Sequence, residues 1–253
     1  MTERLRHLCE VHQAGLTTLT RLGGDVRRSG TVTAGFSGLP APPFNGIYAW
    51  HDDPSVEADL RTLVAEGEAR GLPMAISVLA GAAHEGTVEQ TATDLGFFAA
   101  GEPQPGMVLT EGEIPPLPDG IRSTSPDNAD DLSTYAELMA EAFGFPLEVA
   151  LAATHQDTLQ WDDVEWFLLW DGDTPVATSM LIHVGDVASV VNVGVPPEHR
   201  RRGLGAAATW EVVRRGRDRG ATEAQLFASP MGEPVYLNMG FEIVGHMRTF
   251  IGI

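Results

Sequence analysis

Apolar residues recur at regular spacings in the second half of the chain, and these spacings predict its secondary structure. Over residues 128–143 and again over 203–218, apolar side chains return every three or four positions, as on one face of an α-helix. We therefore predict an amphipathic helix in each segment. The residues with this spacing are Leu132, Tyr135, Leu138, Met139 and Ala142 in the first segment, and Leu204, Ala207, Ala208 and Val212 in the second.

Shorter apolar stretches bounded by turn residues predict strands. The sequences Asp171-Gly172-Asp173 and Gly185-Asp186 are typical of the turns between such strands. In order, we predict strands at 165–170, 175–184, 187–195 and 223–228, a short helix near 233–239, and two short strands that close the chain. A meander that continues through a helix into another strand is typical of a mixed α/β sheet.

A proline-rich stretch at 113–120 divides the chain, because its prolines can continue neither a strand ladder nor a helix. We take residues 1–114 and 115–253 as two domains. The two halves share a weak repeat of three segments. In the first half these are Arg70-Gly71, 74–78 and Leu95-Gly96-Phe97, and in the second half they are Arg219-Gly220, 224–228 and Met239-Gly240-Phe241. The halves then end in strand-like segments at 106–109 and 247–251. Such dipeptides also recur by chance, but we interpret the halves as one fold used twice.

The charge of the chain excludes some classes of partner. With 16 basic and 35 acidic residues, the formal net charge is −19. We therefore expect no binding to nucleic acid or to anionic membranes. The acidic excess is typical of a soluble surface, and the alternative is a field that attracts a cationic substrate such as an amine.

Other classes are disfavoured by what the sequence lacks. No apolar run reaches the roughly 18 residues of a membrane span, and no apolar core follows the charged first residues as in a signal peptide. Cys9 is the only cysteine, so an internal disulfide is impossible, and the eight histidines show no paired ligand spacing. We expect a cytoplasmic protein without a metal.

Residues 196–220 reverse the acidic trend, with seven arginines against three acidic residues. Three consecutive arginines precede Gly203 and Gly205, between a predicted central strand and a predicted helix. Glycines let the backbone turn tightly and leave its amides exposed. These amides are also the unpaired donors of the first helical turn, where the positive end of the helix dipole favours an anion. The segment therefore predicts a site for a diphosphate.

Two common phosphate-binding motifs do not fit this loop. A P-loop needs four residues between its glycines and then Lys-Ser/Thr, which is absent here. A dinucleotide fingerprint needs a third glycine where this chain has Ala208. The alternative that stays open on local chemistry is an ordinary glycine turn with a solvated run of arginines.

The wider sequence resembles motif A of the GNAT acetyltransferase superfamily, in which an apolar strand and Val-x-Pro precede Arg/Gln-x-x-Gly-x-Gly/Ala. Arg200, Gly203 and Gly205 match the defining positions of that loop. Tyr236 opens the sequence Tyr-Leu-Asn-Met-Gly-Phe, which is similar to the family's Tyr-x-x-x-Gly-Phe element. Order and spacing agree from Val164 to the C-terminal end.

This resemblance implies acetyl-coenzyme A as cosubstrate. It implies a sheet whose strands 187–195 and 223–228 splay apart, so that the pantetheine arm pairs with the free edge of the first strand. An oxyanion donor would be a backbone amide within 193–195. The residues that it assigns to the cofactor are Val193, Gly194, Val195, Arg200, Arg201, Arg202, Gly203, Leu204, Gly205 and Ala206.

Tyr236 matches the family position of the general acid that protonates the departing thiolate. A phenol has a reference pKa of about 10, so it remains protonated at neutral pH and can donate. The alternative is a core tyrosine that packs the final helix.

The base and the acceptor contacts are less determined. Glu165 opens a predicted strand and His183 ends one, while some family members use ordered water instead of a carboxylate. Asn192 lies on the central strand but cannot act as a base. Phe143 and Phe145 fall where the family lines its acceptor site, so the candidate substrate contacts are Phe143, Phe145, Glu165 and Asn192.

The first half has no counterpart of the arginine–glycine loop, and Ala92 stands where its catalytic tyrosine would fall. We therefore predict an α/β (α+β) protein of tandem GNAT-like mixed sheets flanked by helices, with the second copy intact and the first degenerate. The predicted activity is N-acetyltransfer from acetyl-coenzyme A to a primary amine of a small molecule. The alternative is a non-catalytic acyl-coenzyme A sensor or scaffold.

Overall fold

The computed structural model describes residues 2–252. These residues form two compact units: unit 1 contains residues 2–106 and 243–252, and unit 2 contains residues 107–242. Each unit is a mixed sheet flanked by helices, which confirms the predicted fold class.

Unit 1 consists of antiparallel strands followed by a parallel strand–helix–strand arrangement. Its elements are α1 (Glu3–Thr17), β1 (Asp25–Ser29), β2 (Val32–Phe36), β3 (Asn45–Ala49), α2 (Val56–Ala69), β4 (Met74–Leu79), α3 (Glu85–Asp94), β5 (Phe98–Ala99) and the C-terminal β12 (Glu242–Gly252), while β6 (Gln104–Leu109) straddles the unit boundary. The strand order is β1-β2-β3-β4-β12, and β3 and β4 are parallel.

Side chains alternate between the two faces of this sheet. One face packs against α2 and α3 and forms an almost fully buried hydrophobic cluster. The intervening residues Tyr48, Ser77 and Thr249 line a cavity together with His12 of α1. The sheet residues of the buried cluster include Ile47, Ala49, Ile76, Val78 and Phe250.

Unit 2 has a similar order of elements, with one additional strand at its start and a second helix before its meander. Its elements are β7 (Ile121–Thr124), α4 (Ala129–Phe143), α5 (Leu147–Ala153), β8 (Val164–Asp171), β9 (Thr174–Val184), β10 (Val187–Gly194), α6 (Leu204–Asp218), β11 (Glu223–Phe227) and α7 (Glu233–Asn238). The strand order is β6-β11-β10-β9-β8-β7, with β10 and β11 parallel. The predicted linker at 113–120 contains no helix or strand.

The two long helices of unit 2 begin and end close to their predicted limits. Asn128 caps α4, because its side chain accepts hydrogen bonds from the amides of Asp130 (2.9 Å) and Asp131 (3.0 Å). Gly144 ends the helix in a left-handed conformation, with φ = 72°. Asn128 and Gly144 thus set the two ends of this helix.

Helices α4 and α6 cover opposite faces of the sheet of unit 2. Both pack against β9 and β10. The Ser179 hydroxyl donates to the Ala208 carbonyl of α6 at 2.9 Å, whereas Thr178 lies near Tyr135 of α4. Because successive strand residues point to opposite faces, the two helices enclose β9 and β10 between them.

The C-terminal end differs from the prediction. Residues 242–252 form the single strand β12 and not two short strands, and β12 pairs with β4 from Met247↔Leu79 to Gly252↔Met74. The last strand of the first half, β6, lies beside β11. The compact units divide at 106/107 and 242/243, because β12 pairs with β4 and β6 lies beside β11. The domain boundary at 114/115 stays a prediction.

Candidate functional site

The central strand β10 contains a bulge near its C-terminal end. It pairs with β9 as far as Val191, and the pairing resumes in a shifted register at Gly194. Between them Asn192 adopts φ = 52°, a left-handed conformation that asparagine tolerates better than most residues. The Thr178 hydroxyl donates to the Asn192 carbonyl at 3.0 Å and holds the bulge in place.

Strands β10 and β11 separate along their length. Their parallel pairing ends at Ser189↔Gln225, while β10 continues to Gly194. Within residues 2–252, nothing pairs with this edge of β10 beyond Ser189. Such an edge presents unpaired backbone groups to which an extended ligand can add. Val193 and Val195 are partly buried here and pack against the adjoining hydrophobic clusters.

The loop between β10 and α6 contains two left-handed residues. A short 3₁₀ turn, Pro197–His199, precedes Arg201 at φ = 62° and Gly203 at φ = 76°. The first helical bond runs from the Ala207 amide to the Gly203 carbonyl, so the amides of residues 204–206 have no helical partner. A Cβ at Gly203 would meet nothing within 4 Å. The helix start therefore offers donors, a positive dipole end and room for an anion.

The three arginines of the loop lie in different environments. Arg200 turns inward and donates to two backbone carbonyls, one in the loop (3.0 Å) and one in α4 (3.2 Å). Arg202 forms an ion pair with Asp171 at 2.5 Å. Arg201 is exposed and makes no ion pair or hydrogen bond with the rest of residues 2–252. The structure thus gives Arg200 a bracing role and leaves Arg201 available for a ligand.

Gly194 lies where no side chain fits. A Cβ there would be 2.7 Å from Thr178 Oγ1 and 3.0 Å from both Ala142 Cβ and the Phe143 ring. Phe143 is nevertheless 44% exposed, and its ring stacks on Phe145 with centroids 5.9 Å apart. The end of α4, with both predicted acceptor phenylalanines, therefore adjoins the bulge of β10.

Tyr236 lies on α7 and is 8% exposed, and the centroid of its ring is 5.7 Å from that of Phe241. A Cβ at Gly232 would come within 2.8 Å of the tyrosine ring, so the glycine makes room for it. Burial raises the pKa of Tyr236, and the nearby Thr209 side chain offsets part of that rise. The Thr209 hydroxyl itself donates to the Gly205 carbonyl at 2.9 Å. The phenol is thus protonated at neutral pH and close to the first turns of α6.

Two buried polar groups at the site were not singled out from the sequence. The Tyr135 hydroxyl has no hydrogen-bond partner within residues 2–252. Burial raises its pKa, while the nearby Thr178 and Asn192 side chains partly offset the rise. Gln225 Oε1 is also buried without a partner in the described chain, at the point where β10 and β11 part. The helical spacing predicts Tyr135 only as a core residue, and no sequence signal marks Gln225.

The base candidates lie away from the loop. Glu165 on β8 forms ion pairs with Arg215 (2.7 Å) and Arg219 (3.7 Å), at the C-terminal end of α6. The loop is at the other end of this 15-residue helix, about 22 Å away. His183 is bonded through Nε2 to the carbonyl two residues on, at 3.0 Å. Neither side chain reaches the bulge or the loop.

In unit 1 the segment corresponding to this loop is acidic. Between β3 and α2, Asp52 and Asp53 stand in place of arginines. Asp53 accepts hydrogen bonds from the Ser55 amide (2.8 Å) and hydroxyl (2.6 Å), which lower the pKa of its carboxyl. A carboxylate at the helix start repels a second anion. Ala92, at the tyrosine position, is fully buried.

Several other kinds of site find no support in the described chain. Within residues 2–252, no three histidine, cysteine or acidic side chains group in a way that would hold a metal ion. No helix in that range has the length and apolar character to cross a membrane. Cys9 is buried, and burial raises the pKa of its thiol to about 12, so it is a poor nucleophile at neutral pH.

Comparisons with known proteins agree with this architecture. The family model for the acetyltransferase (GNAT) family matches residues 133–241, from within α4 to just after α7. No significant match is found among the curated proteins.

Several solved structures share the fold. A GCN5-related N-acetyltransferase from Kribbella flavida is 18% identical, with a TM-score of 0.72 over 97% of this chain and 94% of its own. One from Sphaerobacter thermophilus is 19% identical, with a TM-score of 0.61 over 87% and 76%. A tandem GNAT protein from the clavulanic acid biosynthesis pathway is 14% identical, with a TM-score of 0.57 over 87% and 78%. Residues 133–241 therefore match the acetyltransferase (GNAT) family, and the chain shares the fold of these solved structures.

Proposed function

We propose that the protein transfers an acetyl group from acetyl-coenzyme A to a primary amine of a small molecule. The observation that carries the proposal is the combination, in unit 2, of an open strand edge at the β10 bulge and an uncapped helix start. The edge suits the amide-bearing arm of coenzyme A, and the helix start suits its diphosphate. A nucleotide that lacks the pantetheine arm would need only the helix start and not the open strand edge.

The donor would be held largely by backbone groups. Residues 193–195 would offer the amides and carbonyls of the β10 edge, and one of these amides would stabilise the oxyanion. Residues 204–206 would direct their amides at the diphosphate. Arg201 would add the charge, whereas Arg200 and Arg202 are engaged by protein groups.

The chemistry requires one new bond and one broken bond. The amine loses a proton to water, its nitrogen attacks the thioester carbonyl, and the C–S bond breaks as the tetrahedral intermediate collapses. Tyr236 would protonate the departing thiolate and regain a proton from solvent, while the new amide nitrogen releases its extra proton to water. The buried, protonated phenol of Tyr236 supports this role.

Charges beside the phenylalanine pair support an amine as acceptor. Glu141 precedes Phe143 by two residues in α4, and the pKa of its carboxyl is raised by desolvation and by the neighbouring carboxylate of Glu198. Two carboxylates so close together attract an ammonium group. The exposed Phe143 ring would pack against the apolar part of such a substrate.

One observation favours the non-catalytic alternative. The ion pairs of Glu165 remove the carboxylate that the sequence suggested as a base. An acyl-coenzyme A sensor or scaffold would need the loop and the strand edge but no base. Turnover of amines separates the two functions.

We expect the Gly203→Glu variant to bind acetyl-coenzyme A at least about tenfold more weakly than wild type, a loss of about 1.4 kcal/mol. The added carboxylate would lie in the proposed anion site, where the structure has open space. Isothermal titration of the full chain measures the affinity. Gly203→Asn is the matched control, since asparagine tolerates the left-handed backbone without adding charge.

Three outcomes separate the possibilities. One-to-one binding that Gly203→Glu loses and Gly203→Asn keeps supports the donor site, and acetylation of a panel of amines then supports the enzyme. Binding without turnover of any amine gives the sensor the lead. Absence of binding by the wild-type chain contradicts both.

Replacing Arg201 with alanine is expected to weaken acetyl-coenzyme A binding by about tenfold, within the range of a hydrogen bond to a charged group. Arg202→Ala is the control, because an exposed ion pair contributes little. Titration at low and high salt should show the Arg201 effect shrinking as salt rises. Equal losses in the two variants would assign the effect to the general charge of the loop.

A further inference from the structure

Unit 1 contains a cavity of about 290 Å³ that the proposed function does not use. It lies between α1 and the sheet face formed by alternate residues of β3, β4 and β12. His12 of α1 lines one side, and Ala75 and Ser77 of β4 line the other. The volume is just below the roughly 300–1,000 Å³ typical of ligand pockets, so a ligand here would be small.

Tyr48 and His12 are the aromatic residues of the cavity lining. Tyr48 is 2% exposed. Its ring lies edge-on to the ring of His12, with centroids 6.4 Å apart, and its centroid is 5.6 Å from that of Trp50. A Cβ at Gly46 would be 2.2 Å from the Tyr48 hydroxyl oxygen, so the phenol leans over the glycine. A bulkier residue at position 46 would displace this ring.

Polar groups line the rest of the cavity. The hydroxyls of Ser77 and Thr249, opposite each other on β4 and β12, lie 3.5 Å apart. Glu102 is exposed and contributes the only acidic side chain of the lining. Burial lowers the pKa of His12 to about 4, so this histidine is neutral at pH 7.

The charge of the lining selects the class of ligand. No arginine is among the lining residues of the described chain. Arg248, between two lining residues of β12, alternates to the other face and pairs with Glu85 at 2.8 Å, which raises the pKa of its guanidinium, with a smaller contribution from the charge of Glu102. Glu102 is therefore the one charged residue of the described lining; it would repel an anion and attract a cation, which would also contact Tyr48.

We propose that unit 1 binds a small organic ammonium ion in the cavity between α1 and its sheet, with Tyr48 as the aromatic wall and Glu102 as the counter-charge. The hydroxyls of Ser77 and Thr249 accept from the ammonium or from a polar group on the ligand. This binding site belongs to the degenerate repeat and is independent of acetyl transfer in unit 2.

Titration of the full chain with 2-phenylethylamine and cyclohexylmethylamine, beside 3-phenylpropanoate as the anion of similar shape, tests the proposal. We expect saturable binding of an amine but not of the carboxylate. Glu102→Gln, at an exposed position, should weaken the amine about tenfold or more, and Ala75→Leu should abolish binding by filling the cavity. Gly203→Glu, in unit 2, should leave this binding unchanged.

The same experiment can overturn the proposal. It is wrong if neither amine binds more tightly than 3-phenylpropanoate, or if Glu102→Gln binds the amines as wild type does. Binding that survives in a folded Ala75→Leu chain would place the ligand elsewhere. If Ala75→Leu does not fold, the Glu102→Gln comparison decides. If the wild-type chain binds an amine in this cavity but acetylates no amine, only the proposed function is contradicted.

Discussion

Replacing Tyr236 with phenylalanine is expected to lower kcat by about 10²–10⁴-fold, the usual contribution of a positioned general acid. The substitution keeps an aromatic ring against Phe241 and removes only the phenolic hydroxyl. Affinity for acetyl-coenzyme A should be unchanged, because the proton moves only as the thiolate leaves. Steady-state release of the coenzyme A thiol measures kcat, and titration measures the affinity.

The outcome separates the two predicted roles of Tyr236. A kcat within about tenfold of wild type would identify it as a core tyrosine whose hydroxyl does little in the reaction. A fall in both kcat and affinity would point to disturbed packing between α7 and α6. Thermal unfolding of the variant supplies the check, since loss of one hydroxyl from an intact ring should change stability by only about 1 kcal/mol.

The alkaline side of the pH profile tests the same residue. Burial raises the pKa of Tyr236 above its ordinary value, which is about 10 for a free tyrosine. A general acid acts only when protonated, so wild-type kcat should hold as pH rises to about 10 and should fall only above that. A decline at lower pH, shared by Tyr236→Phe, would belong to another group.

The parts of the site that the sequence predicts are those with local causes. The left-handed turn at Gly203 and the uncapped start of α6 depend on residues within a few positions of each other. The cap of α4 depends on Asn128 and the amides two and three residues later. Such features can be recognised in a short window of sequence.

The parts that the sequence does not predict depend on residues far apart in the chain. The inward turn of Arg200 depends on a carbonyl of α4, 58 residues earlier. The ion pairs of Glu165 join it to a helix end 50 residues later. The Tyr135 hydroxyl, which has no hydrogen-bond partner within residues 2–252, is buried because of how α4 packs over β9 and β10. A motif gives the residue types, but these contacts decide which residues are free to bind a ligand.

The pairing of the last strand illustrates the same limit. β6 and β12 each end a repeat with buried apolar residues, which are Met107, Val108 and Leu109 in β6 and Met247 and Phe250 in β12. Composition and periodicity cannot choose between them. The structure pairs β12 with β4, which makes the C-terminal strand part of the hydrophobic cluster of unit 1 through Phe250.

Phe250→Ala is expected to lower the free energy of unfolding of unit 1 by about 3–5 kcal/mol, the usual effect of truncating a buried phenylalanine. Phe250 is 2% exposed, lies opposite Ile76 of β4 and packs in the cluster under α2 and α3. Hydrogen exchange resolved by residue measures the change, and the amides of β4 should lose protection. Those of β11 should keep theirs.

The matched control is Ile243→Ala, in the same strand but 39% exposed, for which a change of only about 0.5–1 kcal/mol is expected. Faster exchange in β11 with β4 still protected would show that the last strand stabilises the sheet of its own repeat, as the boundary at 114/115 predicts. Equal destabilisation by the two substitutions would remove Phe250 from the core of unit 1. If Phe250→Ala alone loses protection, and only in unit 1, then the first repeat depends on the last strand of the second repeat. In that case the first repeat without β12 should not fold stably.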